Sequence, residues 1–144
     1  MTEDTQIAPL IQQLARSYAA ILQEQLKPLG LTPGQLPALQ QLWSQDGKTQ
    51  AALVAALQVE QATMANTLAR MERDGLIERR KAAHDGRIRH IHLTAKARGL
   101  EAEAREAVMR AEAAFLAPLR PGQQKRLAEF LVVLAEGEQG SEGS

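Results

Sequence analysis

Apolar residues recur every three or four positions toward both ends of the chain, a spacing typical of one face of a helix. Near the N-terminus the spacing predicts a helix at residues 7–26, which Pro28 and Gly30 end. In the C-terminal third it predicts a long helix at 95–117 and a last helix at 122–136. The positions of the last helix that we expect to point inward are Leu127, Phe130, Leu131 and Leu134.

A second helix is predicted from Thr32 to about Ser44. Gln35 stands three residues after Thr32, which is a capping-box pattern in which the two residues satisfy each other's free backbone donors. Pro37 removes one internal hydrogen bond, so we expect a local bend near Leu36.

Two shorter helices follow. Thr49 is a suitable cap for a helix at 50–57. The next helix spans about 60–74, and Gly75 supplies the left-handed residue that closes many helices. Its apolar side consists of Met64, Leu68 and Met71.

Alternating residues predict a hairpin after these helices. A strand at 76–80 and a returning strand at 88–93 flank a loop at 82–86, and Thr94 caps the long helix that follows. The fold class is therefore mainly α with a small β-hairpin. Its middle section is a helix-turn-helix followed by a two-stranded wing.

Composition narrows the class of protein. A chain of 144 residues is most simply one domain, and the absence of cysteine excludes disulfides and thiol nucleophiles. No apolar run approaches the ~20 residues of a membrane span, and the N-terminus lacks a basic head with an apolar core. We therefore expect a cytoplasmic protein with no membrane partner.

The Gly-, Ser- and Glu-rich residues 137–144 are expected to form a disordered tail.

Charge is divided unevenly in this formally neutral chain. The window 79–98 holds seven Lys and Arg residues and one Asp, a net charge of +6, so the remaining residues carry −6. Such a division favours a surface for a polyanion, although a solvated, charged hairpin has the same pattern.

The helix at 60–74 is suited to the major groove of DNA. Opposite its apolar side it carries short polar groups near its start and arginines near its end, and early residues of the second helix meet base edges in helix-turn-helix docking. The alternative is an ordinary amphipathic surface helix. The predicted DNA-contacting residues of this helix are Gln61, Ala62, Thr63, Asn66, Thr67, Arg70 and Arg73.

The hairpin adds a candidate minor-groove contact. Arg87 follows Asp85-Gly86 at the predicted tip, and a narrow minor groove attracts inserted arginine. Asp85 has two open roles, holding the Arg87 guanidinium or shaping the turn. The residues better suited to contact phosphates, without reading sequence, are Arg79, Arg80, Lys81 and Arg89.

Several motifs in this order resemble the multiple-antibiotic-resistance regulator (MarR) family of bacterial transcription factors. They are GLT at 30–32, L-x-x-M-E-x-x-G-L-I at 68–77, D-x-R at 85–87, and Leu93-Thr94 at the start of the next helix. The resemblance covers roughly residues 7–136. It implies base contacts from Ala62, Thr63 and Asn66, and a wing-tip arginine at Arg87.

The resemblance also implies an architecture and partners. Residues 1–144 would form a single domain with a DNA-binding winged helix-turn-helix lobe at 31–94 and a helical dimerisation lobe at 7–27 and 95–136. The family implies a homodimer on near-palindromic double-stranded DNA operators, usually a repressor released by a small, often phenolic ligand. Two residues depart from the family pattern. Pro37 lies within the second helix, which is usually uninterrupted, and Arg120 stands where a Ser or Thr commonly caps the last helix.

Other functions are weaker interpretations of the sequence. His84, His90 and His92 suggest a metal-responsive regulator, but they form a thin ligand set, and we expect neither metal nor cofactor. No motif indicates catalysis, so we expect no enzyme. A helical protein-interaction module on a winged-helix scaffold is the main alternative. For a ligand pocket, the candidates are Tyr18 and Trp43, polar-tipped aromatics that could equally be core or interface residues.

Overall fold

The computed structural model describes residues 6–141 of the chain. Within this range there are seven α-helices and three short strands, which confirms the expected mainly helical class with a small sheet. The helices are α1 (Ile7–Leu26), α2 (Leu36–Ser44), α3 (Gln50–Leu57), α4 (Gln61–Arg73), α5 (Ala95–Gly99), α6 (Glu101–Leu116) and α7 (Pro121–Ser141). The strands are β1 (Lys48–Thr49), β2 (Ile77–Lys81) and β3 (Arg89–Leu93).

The sheet has three antiparallel strands in the order β1-β3-β2, so the predicted hairpin of β2 and β3 is present and β1 is an additional strand beside it. Ile77 pairs with Leu93 and Lys81 with Arg89 across the hairpin. On the other side of β3, Lys48 pairs with Ile91. Two residues are too few to show an alternating pattern, so β1 had no sequence signal.

The start of α2 also differs from the prediction. The helix begins at Leu36, because residues before it form a turn in which the Gln35 N–H donates to the Thr32 carbonyl at 3.1 Å. Half of the capping box is present, since Gln35 Oε1 accepts from the Thr32 N–H at 3.2 Å. Pro37 therefore occupies the first turn, where its missing N–H has no helical partner to lose. The bend expected near Leu36 was wrong.

The long helix predicted at 95–117 is two helices, α5 and α6, that meet at Leu100. The Leu100 N–H donates to the Ala97 carbonyl at 3.2 Å, a tighter turn than an α-helix makes. Gly99 lies in this turn, and glycine weakens a helix interior. The α-helix resumes with the Ala104 N–H bonded to the Leu100 carbonyl at 2.9 Å.

The core lies where α1, α2 and α6 meet the helix-turn-helix and the inner face of the sheet. Met64, Leu68 and Met71 of α4 are buried in it, as the sequence predicted. Thr49 and Thr94 cap α3 and α5 through their side chains, also as predicted. No helix within residues 6–141 is long and apolar enough to cross a membrane.

The last helix corrects two expectations. Helix α7 continues past Gly137 to Ser141, so this part of the predicted tail is helical, and 142–144 lie outside the described residues. The residues expected to point inward do not do so within one chain, since Leu127 is half-buried while Phe130, Leu131 and Leu134 are more than half exposed. At the start of α7, Gln123 Oε1 accepts from the Arg120 N–H at 2.9 Å, which is the half of a capping box that does not require Ser or Thr at position 120.

Candidate nucleic-acid interface

Helix α4 turns its predicted reading face to solvent. Met64, Leu68 and Met71 fix the buried side, and the rotation of about 100° per residue places Asn66 and Arg73 opposite them. Asn66 and Arg73 are exposed, and so are Gln61, Ala62, Thr63 and Arg70. Thr67 is the exception among the predicted contacts, because it is half-buried.

Thr63 and Thr67 lie along the edge of α4 that faces the start of α2. Both line a small, mainly apolar cavity of about 170 Å³ with Pro37 and Ala38. Thr67 also borders a polar cavity of about 280 Å³, together with Arg70 and other residues of both helices. The predicted α4 contacts are therefore divided between an outer face and an edge next to α2.

A partly buried hydrogen bond joins the start of α2 to the end of α4. Gln35 is 5% exposed, and its Nε2 donates to Asp74 Oδ2 at 2.9 Å. Arg73 Nε lies 3.5 Å from the other Asp74 oxygen, and Lys96 Nζ donates to the Asp74 carbonyl at 3.0 Å. These contacts fix the C-terminal end of the recognition helix relative to α2. The sequence pattern did not predict the contacts of Asp74 with Gln35 and Lys96, because these partners are far apart in the chain.

The wing tip is shaped by Asp85. Its Oδ1 accepts from the Arg87 backbone N–H at 2.9 Å, so the carboxylate stabilises the turn. Within the described residues Asp85 forms no ion pair with the Arg87 guanidinium, and of the two roles considered the structure has the turn role. The Arg87 side chain is exposed.

The basic residues of the wing lie on both of its faces. Side chains alternate along a strand, so Arg79 and Lys81 share a face with Ile77, while Arg80 lies on the other. Arg79 Nε lies 3.5 Å from Glu72 Oε2 of α4, and this ion pair holds the wing against the recognition helix. Arg80 pairs with Glu78 on the outer face.

Three of the predicted phosphate and groove contacts converge on one cavity. Arg79, Arg87 and Arg89 line a space of about 330 Å³ between the wing and the start of α3, opposite Gln50 and Ala51. Sequence reasoning missed Gln50 and Ala51, because their only signal is their position behind the Thr49 cap. Arg80 does not line this cavity. The arginine cluster therefore contains fewer residues than the basic window 79–98 suggested.

The three histidines have different surroundings. His90 Nδ1 is 2.8 Å from the Gly47 carbonyl, and His92 Nδ1 is 3.7 Å from Asp46 Oδ2. His84 lies exposed in the wing loop. Within the described residues no group of three or more His, Asp or Glu side chains could hold a metal ion. His90 and His92 instead connect the wing to the turn before β1.

A larger cavity lies between α2 and α6, away from the basic surface. Its volume of about 620 Å³ is within the range of small-molecule sites. Trp43 lines it, and Trp43 Nε1 donates to the Ala97 carbonyl at 3.0 Å. The lining residues are Leu36, Gln40, Trp43, Ser44, Glu101, Ala104, Arg105, Val108, Met109 and Glu112.

Tyr18, the other aromatic predicted for a pocket, does not line this cavity. It packs edge-on against Phe115 with ring centroids 5.5 Å apart, in the contact between α1 and α6. Burial raises the pKa of Tyr18, and the negative charge of Glu112 raises it further. Glu112 therefore lines the same cavity as Trp43 and also acts on Tyr18.

The helix-turn-helix, the exposed outer face of α4 and the arginine-bearing wing together define a winged-helix protein of the transcriptional-regulator class. The family model described as "MarR family" matches residues 29–88, the whole of the helix-turn-helix and most of the wing. Over these residues the chain is similar to the MarR family, which confirms the resemblance drawn from its motifs.

Solved structures are similar to the chain along nearly its whole length. A probable transcriptional regulator from Pseudomonas aeruginosa is 28% identical with a TM-score of 0.83, and the match covers 92% of this chain and 99% of that one. A MarR family protein from Mycobacterium tuberculosis, in complex with salicylic acid, is 28% identical with a TM-score of 0.72, over 93% and 99%. MepR of S. aureus in a complex with DNA is 24% identical with a TM-score of 0.81, again over 93% and 99%, a likeness of fold.

Proposed function

We propose that this chain is a homodimeric, sequence-specific DNA-binding regulator that acts as a repressor and is released by a small organic ligand. The observation that carries the proposal is the joint exposure of the α4 outer face and of Arg87 and Arg89, which line one cavity with the half-buried Arg79 on the same winged helix-turn-helix. A helix in the major groove with a cationic wing beside it is an established docking geometry.

Roles for individual residues follow from their exposure. Asn66 at the centre of the outer face reads a base, and amide side chains pair well with adenine. Thr63 and Gln61, in the first turn of α4, contact base edges or the backbone beside them. Arg87 enters the minor groove, and Arg79 and Arg89 hold phosphates.

The uncovered apolar helices support a dimer. Ile7 and Ile11 on α1 are more than half exposed, and so are five consecutive residues of α7, 130–134. Large contiguous apolar patches on a small protein mark interaction sites. A second copy of the chain would cover them, and it would place two α4 helices about one DNA turn apart, ~34–36 Å, on a near-palindromic site.

The α2–α6 cavity is the proposed effector site. The DNA complex and the salicylic acid complex of the structural neighbours support both partner classes for this fold. Trp43 borders the cavity and is hydrogen-bonded to Ala97 of α5. Leu36 also borders the cavity, and it is next to Gln35, whose side chain is hydrogen-bonded to Asp74. A ligand that shifts α2 would thereby move the end of α4.

Selection of bound fragments from random duplexes, followed by a titration at several salt concentrations, tests the proposal. We expect a dyad-symmetric consensus and an affinity that falls steeply with salt, with a logarithmic slope of about −0.9 for each phosphate contact. A protein-interaction module would yield no consensus and no such slope, and that result would reject the proposal.

The wing role is tested by Arg87→Gln. The side chain is exposed, so the variant should fold normally and bind the selected duplex about 5- to 150-fold more weakly, the equivalent of roughly 1–3 kcal/mol. Arg110→Gln is the matched control, because it removes the same charge from α6, where Arg110 bonds to Gln25. Equal affinity of both variants for the duplex would count against the wing contact.

A further inference from the structure

The cavity between α2 and α6 is negatively charged. Among its ten lining residues the ionisable ones are Glu101, Arg105 and Glu112, a net charge of −1 at neutral pH. The remaining residues are apolar or carry neutral polar groups. Three side chains of α6 therefore determine which ligand charge this cavity favours.

The one cation of the cavity is already compensated. Arg105 Nη2 lies 3.1 Å from Glu101 Oε1, one helical turn away, in a charge-assisted hydrogen bond. Glu112 has no ion pair within residues 6–138. Its charge acts on the neighbouring Tyr18 hydroxyl, whose pKa it helps to raise. The uncompensated charge of the cavity thus resides on Glu112.

The aromatic wall of the cavity offers no donor to an anion. The only N–H of the Trp43 ring is already donated to the Ala97 carbonyl at 3.0 Å. What remains for an occupant is the π-surface of the indole, next to the apolar side chains of Leu36 and Met109. The face of an indole attracts cations more strongly than other aromatic faces do.

From these contacts we propose that the cavity binds an aromatic organic cation, a quaternary or protonated amine attached to an apolar ring, in preference to a benzoate or phenolate anion. The cationic group lies near Glu112, and the ring packs against Trp43 and Met109. The proposal gives a chemical class to the effector and rests on the proposed function only for the effect of that ligand on DNA. It also replaces the phenolic ligand that the family resemblance implied.

The chain contains a single tryptophan, so Trp43 fluorescence reports occupancy of this cavity directly. The probes are benzyltrimethylammonium and phenylacetate, which share a benzyl group and carry opposite charges, titrated at constant ionic strength. We expect a saturable change with the cation and an affinity for phenylacetate that is at least about fivefold weaker. Phenylacetate binding as tightly as the cation, or no saturable change with the cation, would overturn the proposal.

Two variants locate the charge that selects the ligand. Glu112→Gln should weaken binding of benzyltrimethylammonium about three- to fivefold, which is the effect of one partly exposed charge contact. Glu106→Gln removes the same charge from an exposed position of α6 outside the cavity, and it should leave the affinity unchanged. Equal losses in both variants would show a general surface effect and would contradict the site.

Binding of the selected duplex, measured without either probe, separates this proposal from the proposed function. If the protein binds the duplex but not benzyltrimethylammonium, the proposed ligand class is rejected and the proposed function stands. If the protein binds benzyltrimethylammonium but no duplex, the proposed function is rejected and the ligand class stands. Addition of benzyltrimethylammonium to the protein–duplex complex should weaken the complex in the wild-type protein, and this effect should be smaller in Glu112→Gln.

Discussion

The single tyrosine of the chain provides a test of the charge on Glu112. Burial and then Glu112 raise the pKa of Tyr18 above its ordinary value of 10.0. An ultraviolet titration of the phenolate should therefore have its midpoint above that value. Glu112→Gln should lower the midpoint, whereas Glu106→Gln should not. A midpoint that is the same in all three proteins would show that Glu112 does not act on this side of the cavity.

The same shift has a consequence for stability in alkaline solution. The folded chain keeps the Tyr18 proton to higher pH than the unfolded chain, so stability falls as the pH rises from about 10 through the folded pKa. Tyr18→Phe should remove this part of the pH dependence, as measured by urea unfolding at a series of alkaline pH values. An identical pH profile for the variant would contradict the assignment.

Asn66 is the clearest single-residue test of base reading. Its exposure predicts that Asn66→Ala leaves the free energy of unfolding nearly unchanged. We expect the variant to lose about 1–3 kcal/mol of discrimination between the selected duplex and a random duplex. Gln45→Ala, which removes an exposed amide at the end of α2, serves as control. Unchanged discrimination for Asn66→Ala would reject it as a base reader.

Residue roles were predictable from sequence where they depend on local spacing. The apolar residues of α4 determine which side of the helix faces outward, so the exposed position of Asn66 followed directly. The pairing of Arg79 with Glu72 did not, because it depends on how β2 packs on α4. The charge window likewise gave no reason to separate Arg80 from Arg89. Which of these side chains share a face of the sheet is known only once the register of β2 and β3 is known.

At the scale of elements, helix caps carry measurable stability. Thr49 Oγ1 accepts from the Ala52 N–H at 3.1 Å, so Thr49→Ala should cost about 1 kcal/mol in chemical denaturation. Thr94 Oγ1 accepts from Ala97 and also donates to the Gly75 carbonyl at 2.7 Å, so Thr94→Ala should cost more. The serine variants keep the oxygen and should retain most of the stability. Equal costs at both sites would contradict the added role of the Gly75 bond.

Elements with a signal at each end were predicted closely. Helix α3 lies between its Thr49 cap and Gln58, and α4 ends where Gly75 adopts a positive φ of 75°. The start of α2 was misplaced because two overlapping signals, the Thr32 capping pattern and Pro37, each fit a helix start. The break at Leu100 had no strong signal, since only Gly99 weakens an otherwise continuous pattern.

At the scale of the molecule, periodicity reveals an apolar face without revealing what covers it. The apolar stripes of α1 and α7 were recognised in the sequence, and four residues of the last helix were expected to point inward although the helix was also assigned to the dimerisation lobe. Within the described residues its side chains instead remain exposed. Because the core already encloses α2, α4, the sheet and the C-terminal part of α1, neither the α7 stripe nor the exposed N-terminal part of the α1 stripe is needed to complete the fold of one lobe.

Dimerisation through α7 can be tested without unfolding the chain. Leu131 and Leu134 are 54% and 64% exposed, so Leu131→Glu with Leu134→Glu should leave the fold intact while placing two charges on the apolar face. We expect a dimer to become a monomer at micromolar concentration in sedimentation velocity. Lys125→Glu changes the net charge equally from the opposite side of α7 and should remain dimeric.

The DNA affinity of the same variants tests whether the dimer is the binding unit. A monomer presents one α4 helix and one wing, so it neutralises about half as many phosphates, and its salt slope should fall by about half. Its preference for two half-sites over one should disappear as well, because nothing then holds the second α4 one DNA turn away. A double variant that is monomeric, yet keeps the wild-type salt slope and half-site preference, would show that each lobe reads DNA independently and that the apolar face of α7 serves another purpose.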